Sequence, residues 1–141
     1  MNNLKTANAF VFNAEIDANY LNSLYGDDYN YMQEVFNTVL DEYVSLTDNI
    51  EFSHSSGNLA ALKASVHKIK PVFGFVGLTS VQQQCQQFEQ ICGTVSSPDQ
   101  LSGEFEALKN KIFQSKLLIE EEKKKLELFN SNCSWVSAVL L

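Results

Sequence analysis

The sequence predicts an all-α protein, an up-down-up-down four-helix bundle with a short extra helix at its N-terminal end. Three observations lead there. Apolar residues recur at spacings of three and four along four long stretches, and no alternating pattern competes with them. Six Gly and two Pro are too few for a loop-rich β-sandwich. The stretches are joined by short polar or glycine-marked links, which set successive helices antiparallel. A chain of 141 residues, 45% of them apolar, suffices for one domain. At this size about two-thirds of the unfolded surface is buried, so neither disulfide nor metal is needed for folding. The expected divisions are an N-terminal segment over 1–15, the bundle over 16–129 and an apolar tail over 130–141.

The elements follow in order. Asp17 is placed as the first N-cap, with Ile16 and Leu21 bracketing it as a hydrophobic staple. A short helix over Ala18 to Tyr25 ends at Gly26. Asp27 and Asp28 start a second helix, where carboxylates meet the positive end of the helix dipole. Its buried side is read from Met32, Val35, Phe36, Val39, Leu40, Tyr43 and Leu46. Thr47 to Gly57 is polar and rich in turn formers, so a loop is expected there, with His54 as a loop residue.

The third helix carries Leu59, Leu62, Val66, Ile69, Phe73 and Val76. After Gly77 the same spacing resumes in Leu78, Val81, Cys85, Phe88, Cys92 and Val95. Two such helices separated by one glycine predict an antiparallel hairpin. Ser97, Pro98 and Gln100 have the form of a capping box with proline in the first helical position, opening the last helix. That helix continues through Leu101, Phe105, Leu108, Ile112 and Ile119. The run Glu120 to Lys125 sets each Glu three or four residues before a Lys, which predicts a solvated face laced by helix ion pairs.

Ten basic residues stand against 17 acidic ones, for a net charge of −7, and all ten are Lys. The balance argues against a nucleic-acid partner, because phosphate contacts draw on clustered Lys and Arg and base reading leans on Arg. Cys85 and Cys92 lie roughly 10 Å apart along one helix, too far for a disulfide, and read as buried apolar thiols. Cys133 falls in the tail. An odd cysteine count with no visible secretion signal predicts a reducing, cytoplasmic setting. The apolar end Trp135 to Leu141 is too short to cross a bilayer.

With two histidines in the chain, imidazole chemistry has few places to be. Stepping roughly 100° per residue from the apolar seam of the third helix puts His67 roughly 140° from the core direction, facing water. Ala60, Ala64, Pro71 and Gly74 are its compact neighbours on that face. Lys63 and Lys70 lie one turn to either side, and Phe75 adds an apolar group beside Pro71. Two ammonium groups near an exposed imidazole disfavour a cation and favour an anion. A neutral imidazole nitrogen is a competent nucleophile, and a phosphoryl group on it would be stabilised by both lysines. Glu89 lies one position past the fourth helix's seam, as His67 does on the third. Around a hairpin turning at Gly77 the two fall at similar height.

The run Val66-His67-Lys68-Ile69-Lys70-Pro71-Val72-Phe73-Gly74-Phe75-Val76-Gly77-Leu78, followed by Cys85-Gln86-Gln87-Phe88-Glu89, resembles the histidine-containing phosphotransfer (HPt) domain. His67, Lys70, Gly77, Cys85 and Glu89 match the family pattern, with Phe88 in place of Leu. Pro71 departs from it, standing where most members have Gly. The resemblance spans roughly Ile16 to Leu128. It implies that His67 accepts a phosphoryl group from a receiver-domain aspartate and passes it to another receiver. It makes Glu89 a candidate to bond one imidazole nitrogen, and Lys70 a candidate to assist transfer. Lys63, Ala64, Lys68, Pro71, Gly74 and Phe75 become the expected partner face. The expectation is a monomeric phosphoryl carrier for response regulators or hybrid kinases, without cofactor, metal, membrane or nucleotide site of its own. The alternative is a helical adaptor that docks a signalling protein without accepting phosphate. A metal-binding bundle would need inward Glu-x-x-His pairs on two helices, and the chain offers a single such spacing, Glu51 and His54, in the stretch read as a loop.

Overall fold

The structure is a computed structural model that describes residues 10–140, with side chains over 10–132. Residues 1–9, Cys133 and the side chains of the apolar end therefore lie outside the described residues. Five α-helices are present: α1 (Ala18–Tyr25), α2 (Tyr29–Ser55), α3 (Leu59–Phe75), α4 (Thr79–Cys92) and α5 (Ser102–Leu140), with a 3-10 turn over Pro98–Leu101 before the last. None of the described helices is long and apolar enough to cross a membrane.

Each of the four long helices packs on two neighbours: α2 on α3 and α5, and α4 on α3 and α5. Directions follow from the cross-contacts. The Ser65 hydroxyl near the start of α3 meets Ser53 near the end of α2 at 3.1 Å, while Phe73 near the end of α3 packs edge-on to Tyr43 further back on α2. His67 on α3 meets Glu89 late on α4, and Gly74 on α3 meets Gln82 early on α4. Asn130 of α5 donates to the Tyr29 carbonyl at the start of α2, and Lys109 pairs with Glu51 near its end. These pairings give the up-down-up-down order. The apolar seams meet in one core, in which Leu21, Phe36, Leu62, Val66, Ile69, Phe73, Cys85, Ile119 and Leu126 are fully enclosed.

The first two caps stand where the sequence places them, and Asn58, which the sequence reading did not single out, caps α3. Asp17, Asp28 and Asn58 accept the amides of Tyr20, Tyr31 and Ala61, each at 3.0 Å, satisfying donors that a helix start leaves open. Gly77 takes φ +77°, a left-handed conformation suited to glycine. The Asp17 amide bonds the Gly77 carbonyl at 2.8 Å, and Ile16 and Leu21 close over the same glycine. The turn that reverses α3 into α4 is thus also the seat of the N-terminal helix.

Four expectations need correction. The loop expected over Thr47 to Gly57 is helix as far as Ser55, because Ile50 and Ser53 continue the buried side of α2 and Ser53 finds the Ser65 hydroxyl on α3. His54 is accordingly not a loop residue. It stacks on Phe105, ring centroids 3.8 Å apart and planes 4° from parallel. Pro98 opens a 3-10 turn, and α5 proper starts at Ser102. Within that turn the Gln100 side chain accepts the amides of Ser96 and Ser97. Glu122, placed on the solvated Glu/Lys face, is buried. It accepts the Asn13 amide at 2.7 Å, and Lys125 binds both Glu122 and the Val11 carbonyl. A strap of N-terminal chain crosses the bundle at that height and covers the carboxylate. The same strap lays Phe10 against Tyr29 and Phe129. Finally, α5 continues past the expected boundary at 129, with Asn130 buried against α2 and the helix running on to Leu140.

Candidate functional site

His67 lies in the middle of α3 on its outer side, its side chain 70% exposed. The neighbouring seam residues Val66 and Ile69 are fully buried, so the helix anchors the backbone while presenting the ring. The hairpin at Gly77 brings α4 alongside, and Glu89 reaches out from between the helices. Its side chain is only 10% exposed, and its Oε1 lies 2.7 Å from His67 Nδ1. A carboxylate only accepts, so Nδ1 carries the proton. In a neutral ring the lone pair then falls on Nε2.

The other oxygen, Glu89 Oε2, accepts from Lys70 Nζ at 2.7 Å. One carboxylate therefore holds two donors from successive turns of α3. Burial pushes the Glu89 pKa up, but the hydrogen bonds from Lys70 and His67 outweigh it, and the net shift is downward. The carboxylate is held ionised, which is the form that orients the ring.

The remaining residues singled out in the sequence distribute as follows. Lys63, Ala64, Lys68 and Pro71 are exposed around His67, and Phe75 is half exposed one turn beyond Pro71. Gly74 is buried instead, facing α4. A Cβ there would come 3.0 Å from the Gln82 amide nitrogen, so this glycine serves the close approach of α3 and α4. Lys70 is directed at Glu89, not left as a second open ammonium beside Lys63. Helix α3 runs unbroken through Pro71, whose ring nitrogen cannot donate to the His67 carbonyl one turn back. Cys85 is buried beneath the site. Burial, reinforced by Glu89 and opposed by Lys70, pushes its thiol up to about 12, so no thiolate is available there.

The sequence did not point to a groove of about 540 Å³ that lies beside this face. Val72 and Phe75 form its α3 wall, Tyr20, Leu24 and Tyr25 its α1 wall, and Tyr31 and Val35 its α2 wall. The Tyr25 hydroxyl donates to the Phe75 carbonyl at 2.9 Å and so ties α1 to the end of α3. The signals were present as i, i+4 pairs, Tyr20 with Leu24 and Tyr31 with Val35, but nothing local says that two short apolar pairs share one groove.

An antiparallel helical bundle that presents one imidazole at mid-helix, its Nδ1 held by a carboxylate of the next helix, has the architecture of a histidine phosphotransfer module. The family model of the Hpt domain matches residues 31–121. The chain belongs to the Hpt domain family, whose members serve phosphotransfer in two-component signalling. Among solved structures it is similar to the HPT domain of an Hpt sensor hybrid histidine kinase from Shewanella. The TM-score is 0.67 at 14% identity, over 79% of this chain and 95% of that one. No curated protein matches it.

Proposed function

We propose that this protein is a phosphorelay intermediate that accepts a phosphoryl group on His67 Nε2 from a receiver-domain aspartyl phosphate and returns it to the aspartate of another receiver. The observation that carries this reading is the pairing of an exposed ring with a buried carboxylate on its Nδ1. The proton stays on Nδ1 and the Nε2 lone pair attacks phosphorus. The N–P bond forms as the acyl O–P bond breaks, and the receiver's carboxylate leaves. Charge that develops on the ring is matched by Glu89 without reorganisation, the same logic by which a buried carboxylate serves an imidazole elsewhere.

Lys63 and Lys68, exposed on the same helix, supply positive potential around the ring, while the Lys70 charge is paired with Glu89. Ala64 and Pro71 place no long side chain over the ring. The Phe75 groove offers apolar surface against which a receiver can seat.

The test is phosphoryl transfer from a purified phosphorylated receiver. Wild type becomes labelled with acid-labile, alkali-stable phosphate, and His67→Gln does not. Equal labelling of the two would overturn the assignment. A receiver that binds both without labelling either would make the protein an adaptor instead.

A further inference from the structure

Glu122 is a carboxylate on α5 whose side chain is only 3% exposed, and phosphoryl transfer at His67 makes no use of it. A charged group taken out of water is costly unless it is paired and hydrogen-bonded. Both partners of Glu122 lead to the N-terminal chain. Its Oε1 accepts the Asn13 amide at 2.7 Å. Lys125, whose Nζ lies 3.0 Å from Oε2, also donates to the Val11 carbonyl at 3.0 Å. Asn13 passes the constraint on. Its carbonyl accepts the Ile16 amide at 3.0 Å and its side-chain oxygen accepts the Glu15 amide at 2.9 Å, which closes a turn over 13–16. Ile16 is buried and closes over Gly77, and the next residue, Asp17, caps α1.

We infer that Glu122 is a positioning residue for receiver docking, acting through the Asn13 turn on α1. Helix α1 has eight residues and buries only Leu21, so it is too short to hold its form unaided. Tyr20, Leu24 and Tyr25 make it one wall of the Phe75 groove, whose α3 wall, Val72 and Phe75, follows His67 along the same helix. A receiver poised over His67 reaches that groove. The α1 wall is fixed at both ends, by the Tyr25 hydroxyl on the Phe75 carbonyl at one and by the Glu122 clasp on Asn13 at the other. This role rests on the phosphotransfer reading for its partner, a receiver. Glu122 governs how tightly that partner binds and leaves the reaction at Nε2 alone.

The experiment compares the full chain with Glu122→Ala, Glu122→Gln and Asn13→Pro, the last deleting the amide donor with α5 untouched. Hydrogen exchange of amides 13–25 should quicken at least tenfold in Glu122→Ala and in Asn13→Pro, with α3 and α4 unchanged. The calorimetric Kd for an unphosphorylated receiver should weaken at least threefold in both, while the maximal rate of labelling by the phosphorylated receiver stays as in wild type. Glu122→Gln keeps an oxygen for the Asn13 amide and should hold protection and affinity near wild type. An unchanged exchange of α1, or an unchanged Kd, in Glu122→Ala and Asn13→Pro overturns the proposal. So does exchange that quickens equally through α3 and α4, the mark of a support for the whole bundle. The expected shifts in exchange and Kd without any labelling of wild type would uphold the positioning role and strike the phosphotransfer reading alone, since neither measurement needs transfer.

Discussion

Glu89 binds His67 and Lys70 at once, one carboxylate oxygen to each and 2.7 Å in both cases. The lysine of the motif thus acts on the carboxylate that holds the imidazole. It holds Glu89 ionised and pointed outward, and Glu89 in turn fixes the ring. The Glu89 carboxyl is therefore expected to titrate below its ordinary value of 4.5 when followed by carbon NMR, and to move up in Lys70→Ala. Its contribution to stability is fully present above pH 4.5 and is lost as the pH falls through the lowered folded value. A Glu89 that titrates at 4.5 or above in wild type would contradict this geometry.

Removing the carboxylate's charge tests whether Glu89 positions the ring. Glu89→Gln is expected to slow phosphoryl acceptance on the order of tenfold, the rate equivalent of about 1.4 kcal/mol. Nitrogen NMR should at the same time show His67 losing its preference for the Nδ1–H tautomer. A slower rate with an unchanged tautomer would leave Glu89 a purely structural role.

Lys70→Ala is expected to slow transfer by a similar order, with the helical signal intact. Lys70→Arg should recover part of the rate, because a guanidinium can still reach Oε2. Rates equal to wild type in Lys70→Ala would remove this residue from the site.

The two glycines flanking the end of α3 should respond unequally to alanine. At Gly77 the Cβ would lie 2.8 Å from Leu21 Cγ and 2.9 Å from Ile16 Cγ2, on a backbone with φ +77°. Left-handed strain and overpacking together cost about 2–4 kcal/mol. At Gly74 the new methyl meets only the end of the Gln82 side chain, which can swing aside, and the loss should stay below about 1 kcal/mol. Urea denaturation of both variants orders them.

Pro71 is exposed, so replacing it forfeits little packing. Pro71→Ala returns an amide that can donate to the His67 carbonyl and is expected to stabilise the protein by about 1 kcal/mol, read as a higher Tm. A lower Tm would mean that the bundle is packed around a bend that proline imposes.

The hairpin and its site were legible from local pattern. Val66, Ile69 and Phe73 mark which side of α3 is buried, which puts His67 outside, and the spacing across Gly77 puts Glu89 level with it. What escaped depended on contacts between distant residues. The last turns of α2 look like a loop because Asp48, Asn49, Ser53 and Ser55 are weak helix formers. What holds them is Ile50 in the core and a serine pair with α3. Glu122 looks like any member of its charged run because its partner, the Asn13 amide, is 109 residues away. Lys70 beside His67 suggests a phosphate contact. Its turn toward Glu89 follows only once α4 is in place.

The covering of Gly77 by Ile16 and Leu21, and of Glu122 by the Asn13 strap, bears on how small a working unit can be. The matched family region begins at residue 31, after both of those covers. A fragment trimmed to 31–121 would keep His67, Lys70 and Glu89. It would lose the lid over the hairpin turn, the α1 wall of the Phe75 groove and the Asn130 anchor at the start of α2. Such a fragment would carry the whole chemical signature while forfeiting contacts that hold it in register, so the structural support of the site extends well outside the recognisable motif.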